Sequence, residues 1–119
     1  MSDGDPPDAF PDRLFVYGSL QPGGPNEYVL APLEGRWQPA SIRGVLREAG
    51  WGAAMGYPGL ILDANGDEVS GQIFESPGLA EFWPELDAFE GAEYERVIIE
   101  ASLGDGAHLS ACCYVLRNP

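Results

Sequence analysis

The sequence predicts one small domain that mixes helix with strand, and three observations lead there. At 119 residues the chain is long enough to enclose one hydrophobic core and too short for two. Six short runs rich in Ile, Val, Leu or Phe are separated by glycine- and proline-bearing turns, the pattern of strands. Two further segments carry helical spacing rather than strand alternation.

Residues 1–12 carry Asp3, Asp5, Asp8 and Asp12 among prolines, a composition that buries too little apolar surface to offset the entropy of ordering. They are expected to form a flexible leader ahead of a domain at 13–119. The first strand is expected over Arg13 to Tyr17, and the loop Gln21-Pro22-Gly23-Gly24-Pro25-Asn26 follows. Asn26 is positioned to cap a short helix through Glu27, Tyr28, Val29, Leu30 and Leu33. Strands are then expected at Ser41 to Glu48, Gly59 to Asp63 and Glu68 to Glu75. Between the last two, Asp63 to Glu68 lacks the glycine position of a calcium loop, and Asn65-Gly66 favours a tight hairpin turn. Pro77 to Gly91 is the longer helix, with Pro84 requiring a kink or a fresh start. Two strands close the chain, Tyr94 to Leu103 and His108 to Leu116, around the turn Gly104-Asp105-Gly106.

Charge and residue usage narrow the chemistry. The chain carries 19 acids against 6 bases, a formal net charge of −13, which disfavours nucleic acid or an anionic membrane as partner. An acidic surface that aids solubility accounts for this balance; an acidic mimic of nucleic acid is the alternative. All bases are arginine, so Schiff-base, pyridoxal and phosphate-loop lysine chemistry are excluded. One histidine, His108, and the adjacent Cys112 and Cys113 leave no convincing zinc set, and no metal or other cofactor is expected. The two cysteines read as buried, reduced strand residues, in keeping with a reducing compartment. With no long apolar run and no signal-peptide pattern at its start, the protein is expected to be soluble and cytoplasmic.

Two features remain to carry function. Phe15-Val16-Tyr17-Gly18-Ser19-Leu20 reads as a strand ending in a cradle, where glycine lets the backbone approach a ligand and turn N–H groups can hold an anion. It serves equally as a plain strand-to-helix connection. Ser19 lacks the flanking glycines of a nucleophile elbow, and His108 sits alone at a strand start, so no serine–histidine pair is expected. The second feature is Glu90. On a helical wheel it falls between Leu79 and Trp83, at the edge of the apolar stripe. Apolar neighbours, a helix C-terminus at Gly91 and the nearby Asp87 all oppose its ionisation, as suits a general base. A capping or ion-paired acid, with Arg96 as partner, is the competing interpretation.

Taken in order, Tyr17-Gly18-Ser19-Leu20 with Pro25-Asn26, Tyr57-Pro58-Gly59-Leu60, Gly71-Gln72-Ile73-Phe74, Leu86-Asp87-Ala88-Phe89-Glu90-Gly91, Tyr94-Glu95-Arg96 and Tyr114-Val115-Leu116 resemble the gamma-glutamylcyclotransferase-like family, which includes gamma-glutamylamine cyclotransferases and AIG2-like proteins. The resemblance implies a compact α+β domain built on a small mixed β-barrel with short flanking helices and a pocket at its rim. By similarity, Tyr17, Gly18, Ser19 and Leu20 hold the glutamyl end of a small γ-glutamyl substrate, and Glu90 is the general acid/base. Tyr57, Tyr94, Arg96 and Tyr114 are further candidates for the pocket wall. Where the family often has Tyr-Pro-Ala, this chain has Gly59. The implied reaction is cyclisation to 5-oxoproline with release of an amine; a binding module that keeps the pocket without turnover is the alternative.

Overall fold

A computed structural model describes residues 12–18, 27–47 and 59–116. The elements are β1 (Arg13–Val16), a 3-10 turn at Glu27–Val29, β2 (Arg36–Arg47), β3 (Gly59–Leu62), β4 (Asp67–Glu75), α1 (Leu79–Glu90), β5 (Tyr94–Ser102) and β6 (His108–Leu116). In space the strands follow the order β3-β2-β4-β1-β6-β5, and β2 also meets β5 at Ser41↔Ser102. That contact closes β2, β4, β1, β6 and β5 into a five-stranded barrel. β1 and β6 run parallel while the other pairs are antiparallel, so the barrel is mixed.

Strand alternation divides the core into two parts. Phe15, Ala40, Ile42, Val69, Ile73, Ile99, Ala101, Ala111, Cys113 and Val115 pack together with Leu60 in the barrel interior. Leu14 and Val16 on β1, with Cys112 and Tyr114 on β6, point outward and pack under Leu79, Trp83 and Leu86 of α1. β1 and β6 are thus buried on both faces, which is why they read as almost unbroken apolar runs. Each large side chain removed from water here contributes about 1.5–3 kcal/mol. Cys112 and Cys113 are buried thiols outside any disulfide, one on each side of the same strand. Burial pushes the Cys112 thiol up to about 12 and raises Cys113 as well, so both stay protonated.

Several elements differ from expectation. The short helix expected to end at Leu33 is only a 3-10 turn, continued by Ala31 N–H to Tyr28 O at 3.2 Å and Leu33 N–H to Leu30 O at 3.0 Å. Pro32 explains this, because it supplies no N–H and disfavours helical geometry at Ala31. The expected cap Asn26 lies outside the described residues, as do residues 1–11 of the leader and Glu48. β2 begins five residues before the expected Ser41, and Pro39 within it pairs with Gln72. This stretch of β2 has β4 on one side only, and Pro39 is exposed, the position where a sheet tolerates proline.

The turn at Asn65-Gly66 forms, with Gly66 N–H to Asp63 O at 2.9 Å and Asn65 N–H to the Asp63 carboxylate at 2.9 Å. It does not make a hairpin. β3 and β4 both pair with β2, and Gly44 is partner to Leu62 and to Asp67. α1 runs through Pro84 as one helix, since Pro84 and Ala80, whose carbonyl the missing N–H would have met, are both exposed. Its start is set by buried Ser76, whose Oγ accepts from Gly78 N–H and whose carbonyl accepts from Leu79 N–H. No helix among the described residues is long and apolar enough to cross a membrane.

Candidate active site

Glu90 is the last residue of α1. Gly91 terminates the helix with φ 87°, its N–H donating to Asp87 O at 3.0 Å, and Tyr94 N–H then donates to Gly91 O at 3.2 Å to start β5. A positive φ is cheap only for glycine, so this residue turns the chain sharply and leaves Glu90 at the junction of helix and barrel. The buried helical residues are Leu79, Trp83 and Leu86. On the wheel these centre the apolar stripe on Glu90 itself, deeper than the edge position expected from sequence.

The half-buried Glu90 carboxyl is pushed up from 4.5 to about 7, and burial is the cause. Its charge in turn adds to the raised pKa values of Tyr17, Tyr94, Cys113 and Tyr114, in each of which burial is the first cause. Glu90 is therefore within electrostatic reach of the residue that follows β1, of the first residue of β5 and of the end of β6. Asp87, one turn earlier, is engaged elsewhere. Its Oδ1 accepts a 2.6 Å hydrogen bond from the Tyr114 hydroxyl and lies 3.6 Å from Nη1 of Arg96. Arg96 in turn stacks on Trp83, 4.8 Å from the ring centroid. Arg96 therefore meets the helix one turn before Glu90, at Asp87.

Tyr17 bridges strands. Its hydroxyl donates to Tyr114 O at 2.8 Å and accepts from Leu60 N–H at 3.1 Å, which ties the end of β1 to β6 and β3. An open cleft of about 490 Å³ lies against the last turn of α1, lined by Asp87, Gly91, Tyr94, Glu95, Arg96 and Tyr114 among others. Glu90 does not line this cleft. Of the residues expected at the site, Tyr17, Glu90, Tyr94 and Tyr114 gather at one end of the barrel, and Tyr94, Arg96 and Tyr114 share the cleft. Gly18 is half-buried beside Tyr17. Ser19, Leu20 and Tyr57 lie outside the described residues. Asp87 and Trp83 were missed as anchors of the helix. The 83, 87, 90 spacing, which places all three on one helical stripe, is the signal that would have found them. Among the described residues, no cluster of His, Cys, Asp and Glu is arranged to hold a metal.

A closed, mixed five-stranded barrel with one short helix packed on it is the gamma-glutamyl cyclotransferase fold class. The family model described as "Gamma-glutamyl cyclotransferase, AIG2-like" matches residues 14–119, and the chain belongs to this family. An AIG2-like protein from Mus musculus is 24% identical with a TM-score of 0.71, over 91% of this chain and 80% of that one. YkqA from Bacillus subtilis is 22% identical with a TM-score of 0.69; 89% of this chain matches, but it spans only 36% of the YkqA chain. A solved structure named gamma-glutamyl cyclotransferase is 16% identical with a TM-score of 0.61, over 89% of this chain and 66% of that one. No curated protein matches the chain in sequence comparison.

Proposed function

We propose that the protein cyclises a γ-glutamyl amine or γ-glutamyl amino acid to 5-oxoproline, releasing the amine, with Glu90 as general acid/base. The observation that carries this is the position and ionisation of Glu90: a carboxyl raised to about 7 by burial, at the end of α1 and close to Tyr17 where β1 ends. A carboxyl of ordinary pKa is a poor base for an ammonium proton, and one near 7 is matched to the task.

The substrate's own α-amino group is the nucleophile. Glu90 takes a proton from the ammonium, the freed amine attacks the γ-carbonyl, and a tetrahedral oxyanion forms. Glu90 returns this proton to the leaving nitrogen as the C–N bond breaks, then takes the second proton from the ring nitrogen and passes it to the released amine, which leaves as the ammonium and the five-membered lactam remains. Backbone N–H groups of the segment Gly18-Ser19-Leu20 hold the oxyanion, and one such donor is worth about 3 kcal/mol. Nucleophile and electrophile belong to one molecule, so folding it into attack geometry supplies much of the rate. Tyr57 and Tyr94 wall the pocket, and the cleft bordered by Tyr94, Arg96 and Tyr114 is large enough for the departing amine.

The test is 5-oxoproline release from a panel of γ-glutamyl amines and peptides. Glu90→Gln is expected to lose about 10²-fold or more in kcat while remaining folded. A Glu90→Gln protein that turns over at the parental rate would overturn the proposal. Thermal stabilisation of the parent by these ligands without amine release would instead mark a binding module.

A further inference from the structure

Tyr114 is bonded twice, in two directions. Its backbone carbonyl accepts the Tyr17 hydroxyl at 2.8 Å, and its own hydroxyl donates to Asp87 at 2.6 Å. The first bond holds the end of β1, from which the cradle departs. The second holds the last turn of α1, which carries Glu90 three residues after Asp87. Arg96, the cross-strand partner of Tyr114 on β5, reinforces the second attachment through Asp87 and Trp83. Apolar packing of α1 on the barrel strands resists separation but not sliding or rotation. A directional bond from the helix end constrains both.

We propose that Tyr114 is a positioning residue of this site: its two hydrogen bonds join the helix end that carries Glu90 to Tyr17 at the end of β1. The proposal rests on the cyclotransferase reading for its kinetic consequences, but not for its structural ones. Tyr114 fits this role better than that of a substrate contact, since its hydroxyl is already committed to Asp87 at a short distance. Burial of Glu90 under the attached helix end is then a product of the same bond. The titratable groups that feel the Glu90 charge are Tyr17 beyond β1, Tyr94 on β5, and Cys113 and Tyr114 on β6, with Asp87 one turn back on its own helix beside Arg96 of β5.

Tyr114→Phe keeps the ring and the carbonyl and deletes only the bond to Asp87. Asp87→Ala deletes the same bond from the other side. Each variant is expected to lower kcat about 10- to 100-fold with KM changed less than about threefold, because a displaced acid/base group slows chemistry without altering the substrate's own contacts. The double variant should be little worse than Asp87→Ala alone, which already removes the Tyr114 bond together with the Arg96 ion pair. In each, the acid limb of the rate profile should move down from about 7, and so should the Glu90 titration followed by carbon-13 NMR of its carboxyl. The NMR arm needs no turnover, so it decides the proposal even if the parent releases no 5-oxoproline. A folded Tyr114→Phe protein with parental kcat and parental Glu90 titration would overturn it. A rise in KM alone would also overturn it, marking Tyr114 as a substrate contact.

Discussion

Glu90 is kept at the site against the interest of stability. Its carboxyl titrates near 7 in the folded chain and near 4.5 when exposed. Between these values the folded state binds the proton more tightly, so stability falls as pH rises from about 4.5 to about 7 and stays lowered above that. Glu90→Gln removes this cost. At pH 8 the variant is therefore expected to be more stable than the parent by about 3 kcal/mol, and at pH 4 the difference should vanish. Urea midpoints at the two pH values check this; equal stability at pH 8 would mean that the carboxyl is not desolvated. A gain in stability with a loss of turnover is the expected signature of a functional group rather than a cap. The chemical type of this residue was legible in sequence, since an acid on an apolar stripe before a glycine is a local pattern. Its neighbours Tyr17 and Tyr114 were named only through the family resemblance, not by any local pattern. Tyr17 and Tyr114 are 97 positions apart, and only the closed barrel brings Tyr17, Tyr114 and Glu90 to one place.

Among the elements, those bounded by their own turn chemistry were the most legible. β6 runs from His108 to Leu116 as expected, because a Gly-Asp-Gly turn precedes it and its apolar run is buried on both sides. Gly106 at φ 89°, Gly106 N–H to Leu103 O at 3.1 Å and Ala107 N–H to the Asp105 carboxylate at 3.0 Å make that turn locally sufficient. The first half of β2 was invisible because its polar residues and Pro39 pair on one side only, which no local propensity reports. The Asn65-Gly66 turn was legible as a turn, but which strand each flank pairs with is a tertiary matter, and β2 takes both. β4 carries a similar non-local demand at Gly71. A Cβ there would meet the Val16 carbonyl and, at 2.8 Å, the edge of the Phe15 ring. Gly71→Ala is thus expected to destabilise by about 1–3 kcal/mol through backbone displacement in β1. Gly104→Ala, at a site with nothing within 4 Å, is the matched control and should be near neutral. Calorimetric melting of the two variants distinguishes them, and similar losses for both would show that the β1–β4 approach is looser than described.

The whole molecule is a barrel whose seams differ greatly in strength. β2 and β4 are joined over nine residue pairs, and β5 and β6 over nine. The closing seam between β2 and β5 has one pair, Ser41↔Ser102. Interior packing across that seam, through Ala40 and Ile42 on one side and Ala101 on the other, holds it shut without a ladder. Opening it breaks the hydrogen bonding of a single ladder pair, so it should occur below the free energy of global unfolding. Native-state hydrogen exchange is expected to show Ser41 and Ser102 opening in a local event, with little dependence on denaturant. Amides of β6 that pair with β5 near its middle, at Cys112 and Cys113, should exchange only with global unfolding. The candidate site lies at the opposite end of β5 from Ser102, where Tyr94 pairs with Leu116 of β6, so seam opening should leave turnover unaffected over the same range of mild denaturant. Exchange of Ser41 and Ser102 in step with Cys113 would refute the weak seam and imply a barrel that opens as one unit.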